Sequence, residues 1–219
     1  MVRRTKEEAL ATRHRLLDAA ELLFHRDGVA ATSLADIARE AGLTRGAIYW
    51  HFTDKADLFE AMMSRVILPM EGAPVRTRPA DDPLEAVRAE FMDVLRRTVD
   101  DPQVQRVFDI ASHRVEYVGE LQAVRDRAVA AHTEWLARME QSLRQAMRLG
   151  QMGRRMPARA AAIGLHALIA GLLRTWLLEP QSFDLMTVGR QRQAGEVGVQ
   201  RLPPHGHQIE GLRLEQPGP

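Results

Sequence analysis

The chain is predicted to be all-α, and three observations carry that reading. Apolar residues recur at three- and four-residue spacing through almost every regular stretch. Those stretches open on Ser, Thr, Asp or Pro and close on Gly or Pro, and none alternates with the period of two that a half-buried strand needs. One pair of short helices is more specific than the rest. Residues 34–52, LADIAREAGLTRGAIYWHF, have the layout of a helix, a tight turn and a second short helix.

The first helix opens on Thr5 with Glu8 as a capping box, and Leu10, Leu16, Leu17, Ala20, Leu23 and Phe24 form its stripe up to about Asp27, where Gly28 stops it. Ser33 with Asp36 is a second capping box, so the next helix starts at Leu34 and turns Leu34, Ile37, Ala38 and Ala41 inward. Gly42 can take the left-handed conformation that ends a helix, and Thr44 caps a third helix predicted over 45–51. On it Ala47, Ile48 and Phe52 pack inward and leave Thr44, Arg45, Tyr49 and His51 outward. Two helices joined by a Gly-containing turn are the helix-turn-helix signature, whose second helix enters the DNA major groove. Helix hairpins of this kind also occur in ordinary cores, but the side chains favour a groove: Arg, Tyr and His face outward, and Gly46 permits close backbone approach.

The candidate DNA contacts are Arg3 and Lys6 in a short basic arm with Arg4, Thr32 and Ser33 at the mouth of the motif, then Thr44, Arg45, Gly46, Tyr49, His51 and Lys55. Lys55 opens the next helix after Thr53 and Asp54, where its ammonium can meet a phosphate or stand as an ordinary solvated lysine. Over residues 1–65 ten Arg and Lys balance ten Asp and Glu, so the field must be local.

That fourth helix is predicted to run to about Leu68, before Pro69, and Gly72, Pro74 and Pro79 make 71–82 a linker. Pro83 opens a helix to about 99 with Leu84, Val87, Phe91, Val94 and Leu95 inward. The pattern restarts at Asp101 and Pro102, with Val104, Val107, Phe108, Ala111, Val115 and Val118 on one face. A long helix over 121–149 carries Val124, Ala128, Ala131, Trp135, Met139, Leu143 and Met147, and a last strong one runs from Pro157 to about Glu179. The division expected is 1–54 for the head, 55–82 for the connecting helix and loop, 83–188 for a ligand-binding and dimerisation body, and 189–219 for a disordered tail. In the tail ten of thirty-one residues are Gly or Pro, a composition that reads as a changed reading frame or a recent extension.

The 219 residues contain no cysteine, which excludes disulfides, thiolate metal sites and a Cys nucleophile. A charged amino terminus without an apolar stretch predicts no secretory signal and a cytoplasmic protein. The nearly apolar run 160–173, interrupted by His166, is too short to cross a membrane and is expected to be a buried helix. The eight histidines include no two at i, i+4 that with an acid would make a helical metal site, and there is no phosphate loop or nucleophile elbow, so neither an enzyme, a metal nor a cofactor is expected. The body instead offers Phe91, Leu95, Phe108, Trp135 and Met139 as apolar walls with His113 and Arg174 as polar groups among them, the composition of a small-molecule pocket. For Arg174 a pocket and an interface position both stay open. Ala160, Gly164, Ala167 and Gly171 make a ridge of small side chains, the candidate two-fold interface of a homodimer.

The run from Met1 to Met63, above all TSLADIAREAGLTRGAIYWHF and the following K-x-x-L-F, resembles the amino-terminal domain of the TetR family of bacterial transcriptional regulators, in particular its AcrR- and TtgR-like branch of multidrug efflux repressors. The body is similar more loosely, through the pattern ending GLLRTWLLEP. The resemblance implies a homodimer whose two heads occupy a palindromic double-stranded operator, and a hydrophobic small-molecule inducer that changes the spacing of the heads and releases DNA. It places the Arg matching Arg174 on a ligand-domain helix. It also implies a final amphipathic helix, where this chain has its Gly- and Pro-rich tail. The alternatives are a regulator of metabolic or division genes, an activator, or a small-molecule-binding module with a vestigial head.

Overall fold

A computed structural model of the chain describes residues 6–66 and 82–193, and every regular element among them is a helix. Arg3, Arg4, Thr5, the linker 71–81 and the tail from 194 onward lie outside the described residues. Helix α1 (Lys6–Asp27) buries Leu16, Leu17, Ala20, Leu23 and Phe24. Leu10, expected on the same stripe, is exposed, because burial on α1 begins at Thr12 and the first turns project past the helices packed against it.

In α2 (Leu34–Glu40) the Ser33 hydroxyl accepts the Asp36 N–H at 3.2 Å, and Asp36 accepts the Ser33 N–H at 3.2 Å, the full capping box. The chain then turns at Gly42, whose φ of 65° is open to glycine, and the Arg15 guanidinium donates to the Ala41 carbonyl at 2.5 Å to cover the end of α2. Thr44 accepts the Ala47 N–H at 3.3 Å and starts α3 (Arg45–Tyr49), two residues shorter than expected. Ile48 and Phe52 are fully buried and hold this short helix against the head. Helix α4 (Lys55–Ser64) is capped by Asp54, which accepts the Asp57 N–H at 2.8 Å, and it ends before the expected 68.

The body comprises α5 (Pro83–Asp100), α6 (Pro102–Asp109), α7 (Gln122–Arg148), α8 (Ala158–Leu178) and α9 (Leu185–Gln193). The helical face expected to continue to Val118 stops at Asp109, gives way to one π turn (Ile110–Arg114), and after an extended stretch becomes a 3-10 turn (Gly119–Leu121). Across that turn the Asp109 carboxylate pairs with His113 at 2.9 Å and with Arg114, five residues on, at 3.3 Å.

Expected to be buried, α8 buries Ala158, Ala162, Ile169 and Trp176 and packs Ala161, Leu165, Leu172, Leu173 and Leu177 partly buried against the same core. Its other side, with Ala160, Ile163, Gly164, Ala167, Leu168 and Gly171, is exposed, because α6, α7 and α9 pack against the opposite flank. At 21 residues it is long and apolar enough to cross a membrane, which the shorter run in the sequence had argued against. Helix α9 was not anticipated, and it makes residues 189–193 helical where a tail was expected. Asp184 caps it by accepting both the N–H and the hydroxyl of Thr187 at 2.9 Å, and the buried Leu185 anchors it. Those two local signals outweigh the roughly 1 kcal/mol that Gly189 costs a helix.

Two cores result. One joins Leu16 to Val66 and is completed by Val104, Val107, Ile110, Leu121 and Val124 from the body; the other lies among α5, α7, α8 and α9. Residues of α4 and of the α6 to α7 region thus share one core with the head. The buried Glu21 carboxylate of α1 fastens the same seam, accepting from Arg106 Nε at 2.8 Å and Gln103 Nε2 at 2.9 Å on α6.

Candidate DNA-binding face and ligand cavity

The outer surface of α3 presents Arg45, Gly46 and Tyr49, all exposed, with the Arg45 guanidinium 5.8 Å from the Tyr49 ring centroid and open space beside Gly46. Next to them stands Trp50, 86% exposed, a residue given no role from the sequence although a large ring with no buried counterpart was already unusual there. Thr44 is exposed at the start of α3, Lys6 at the start of α1, and Ser33 keeps an exposed position while serving as the α2 cap. His51 lies half-buried, its ring 6.5 Å from that of Phe52.

Two of the expected contacts are held by bonds within the free protein. Thr32 is buried, and its hydroxyl donates to the Gly28 carbonyl at 2.8 Å, so its side chain secures the loop before α2. Lys55 points inward: its ammonium donates to the carbonyls of Val29 at 3.0 Å and Thr32 at 3.3 Å and pairs with Glu120 of the body at 3.3 Å, leaving the side chain 15% exposed. A cleft of about 510 Å³ on this side of the head is lined by Ala30 to Ala35, Arg45, Tyr49, Lys55 and Glu120.

Where α4 meets the body there is a second, mostly apolar cavity of about 600 Å³, within the size range of drug-sized ligand sites. Phe91, Phe108 and Trp135 line it, along with Phe59, Met63, Tyr117, Val124, Ala128 and Leu173. One corner is polar. The Trp135 indole donates to Glu90 at 3.0 Å, Phe91 meets Trp135 edge-on at 5.7 Å, and the His132 and His166 rings lie 4.3 Å apart. Burial and the neighbouring His132 push His166 below its ordinary value, so its ring is neutral near pH 7; burial likewise pushes the Tyr117 phenol up and keeps it a hydrogen-bond donor. At the other end Arg127 pairs with Glu60.

Four expected ligand residues fall elsewhere. Leu95 and Met139 are packed in the body core, His113 is tied to Asp109, and Arg174 is exposed on α8 outside the cavity lining. Glu90, His132 and His166 were missed, because the two histidines meet across α7 and α8 instead of along one helix. Among the described residues no group of three His, Cys, Asp or Glu is placed to hold a metal ion.

A capped helix-turn-helix on the outside, joined through shared core to a helical body with an apolar cavity, defines a ligand-domain transcriptional regulator. Comparison with known proteins gives the same class and a family. Residues 16–62 match the family model described as bacterial regulatory proteins of the tetR family, and residues 82–194 match that of the MAATS-type transcriptional repressor C-terminal region. The chain belongs to the TetR family, and it is a DNA-binding regulator, not an enzyme. It is 38% identical over 188 residues to the HTH-type transcriptional regulator TtgR of Pseudomonas putida, covering 85% of this chain and 90% of that one. Among solved structures it is similar to NalD, the secondary repressor of the MexAB-OprM multidrug efflux pump in Pseudomonas aeruginosa, at 35% identity and a TM-score of 0.78 over 87% of this chain and 95% of that one. It is similar also to SmeT of Stenotrophomonas maltophilia in complex with triclosan, at 33% identity and a TM-score of 0.73 over 84% and 90% of the two chains. Regulators of this family bind operator DNA and small molecules and act as dimers.

Proposed function

We propose that this regulator represses a multidrug efflux operon in the bacterial cytoplasm, binding a palindromic operator as a homodimer and leaving it when a hydrophobic compound enters the body cavity. The observation that carries the proposal is α4: its first residue, Lys55, belongs to the head beside the operator-facing cleft, and Phe59, Glu60, Met63 and Ser64 on the same helix form part of the cavity wall. A ligand that displaces that wall acts on a rigid element shared with the DNA site. The relatives support the efflux assignment, since NalD and SmeT are described as repressors of multidrug efflux pumps.

In this reading Arg45 reads a base edge, Tyr49 and Trp50 flank the backbone, Thr44 and Lys6 contact phosphates, and the exposed ridge of Ala160, Gly164, Ala167 and Gly171 on α8 helps close the two-fold. Phe91, Phe108 and Trp135 hold the apolar part of the inducer, and Glu90 with His132 and His166 orients its polar part. Selecting duplexes from a random pool tests the head directly. The wild type should enrich a palindrome, and Arg45→Ala should lose about 1–3 kcal/mol of discrimination at one position per half-site. Equal losses on the selected and a scrambled duplex would remove Arg45 as a reader.

A further inference from the structure

A lysine ammonium has three N–H donors, and at Lys55 all three have acceptors within the protein: the Val29 and Thr32 carbonyls and the Glu120 carboxylate. Two of these acceptors belong to the loop that leads into α2, but the third belongs to the body. Glu120 sits on the 3-10 turn Gly119–Leu121, where Gly119 takes a φ of 57°, and it forms part of the wall of the cleft that Arg45 and Tyr49 also line. It is a carboxylate beside the operator-facing residues, at the position where a phosphate oxygen would seek the same ammonium.

We infer that Glu120 is a built-in competitor of DNA: it occupies Lys55 in the free protein, and a phosphate must displace it before Lys55 contributes to operator binding. The inference rests on the DNA-binding reading above. The pair is suited to exchange, since Glu120 is about half exposed and a solvated ion pair of this kind is weak, whereas the two carbonyl bonds keep the Lys55 stem in place after Glu120 leaves. The carrier of Glu120 is fastened at both ends. At one end the Arg114 carbonyl accepts the Val29 N–H at 2.9 Å; at the other Leu121 is buried in the head core. Between them Tyr117 lines the ligand cavity and packs edge-on against Phe59 at 6.4 Å. The competing anion is thus carried by a segment of the body that a bound ligand touches.

The test compares full-length wild type, Glu120→Gln and Glu116→Gln, the last removing an exposed acid of the same segment that is not the Lys55 partner. Binding to a duplex selected by the wild type is measured by fluorescence anisotropy between 50 and 200 mM salt, roughly the range in which phosphate contacts are read. Glu120→Gln should bind up to about fivefold more tightly per head, the worth of one surface ion pair, and Glu116→Gln should match the wild type. In a Lys55→Met background Glu120→Gln should give no gain. No gain from Glu120→Gln, or an equal gain from Glu116→Gln or in the Lys55→Met background, would overturn the competition and leave DNA binding intact. Failure of the wild type to retain any duplex would instead overturn the DNA-binding reading, and the competition with it.

Discussion

Glu21 is the most exacting place to perturb this molecule, because one buried carboxylate joins the DNA-binding head to the body. Its side chain is 4% exposed and accepts two hydrogen bonds from α6, Arg106 Nε at 2.8 Å and Gln103 Nε2 at 2.9 Å. A hydrogen bond to a charged group is worth about 1.5–3 kcal/mol, and breaking a fully buried ion pair costs about 3–5 kcal/mol. Here the upper figure does not apply. The Arg106 side chain is 42% exposed, so water can take over its charge when Glu21 is lost. Glu21→Gln keeps the shape and a neutral acceptor and should cost about 1–2 kcal/mol; Glu21→Ala also leaves a void and should cost about 2–3 kcal/mol. For a chain of this size that is a fall in Tm of about 3–6 °C for the Gln variant and rather more for the Ala variant. Urea unfolding followed by tryptophan fluorescence and by far-ultraviolet dichroism measures it, with an unchanged slope expected. A Glu21→Gln change indistinguishable from that of the exposed Glu40→Gln would refute the seam as described.

Three further outcomes are expected. Gly42→Ala forces a side chain into a left-handed backbone and brings its Cβ to 3.4 Å from the Arg15 guanidinium; it should cost about 1–2 kcal/mol in a urea titration, and a neutral result would refute the turn geometry. Because the His166 value lies below the ordinary 6.5, the unfolded chain takes up a proton that the folded chain resists once pH falls below about 6.5, so stability falls with acidification and is unaffected above that range. The Tm drop between pH 7 and about 5.5 should therefore be smaller in His166→Asn, and equal drops would remove His166 as its source. Gly164→Phe with Gly171→Phe places bulk on the exposed ridge of α8, where a Cβ added at either glycine would meet open space; light scattering should report a monomer, and an undiminished dimer would relocate the interface.

The head was legible in the sequence because its determinants are local. Ser33 with Asp36, Gly42 and Thr44 each act within a few residues, and the chain adopts the caps and turn they specify. The cavity was legible only in part, since Phe59, Phe91, Tyr117, Trp135 and His166 are brought together by packing from five separate segments. Leu95 and Met139 share helices with Phe91 and Trp135 yet turn into the core, because one apolar stripe serves both the core and the cavity wall. For Arg174 the apolar neighbours left a pocket and an interface position open; Trp176 takes the buried side of α8 and leaves Arg174 on the exposed one. No local pattern around Lys55 could reveal that its partner is Glu120, far along the chain. Helix α9 was hidden by the glycine content after it, although Asp184 and Leu185 already carried its cap and its anchor.

If the regulator is a DNA reader controlled by an apolar cavity, a single titration addresses both halves. A labelled duplex from the region upstream of the chain's own gene is bound by the full-length protein, then titrated with triclosan, the compound held by the similar SmeT. Tight binding relative to a scrambled duplex, lost as triclosan is added, is the expected result; a Phe91→Ala and Trp135→Ala double variant should bind the duplex and resist release. Binding without preference for the upstream duplex, or release by triclosan that is the same in the double variant, would contradict it.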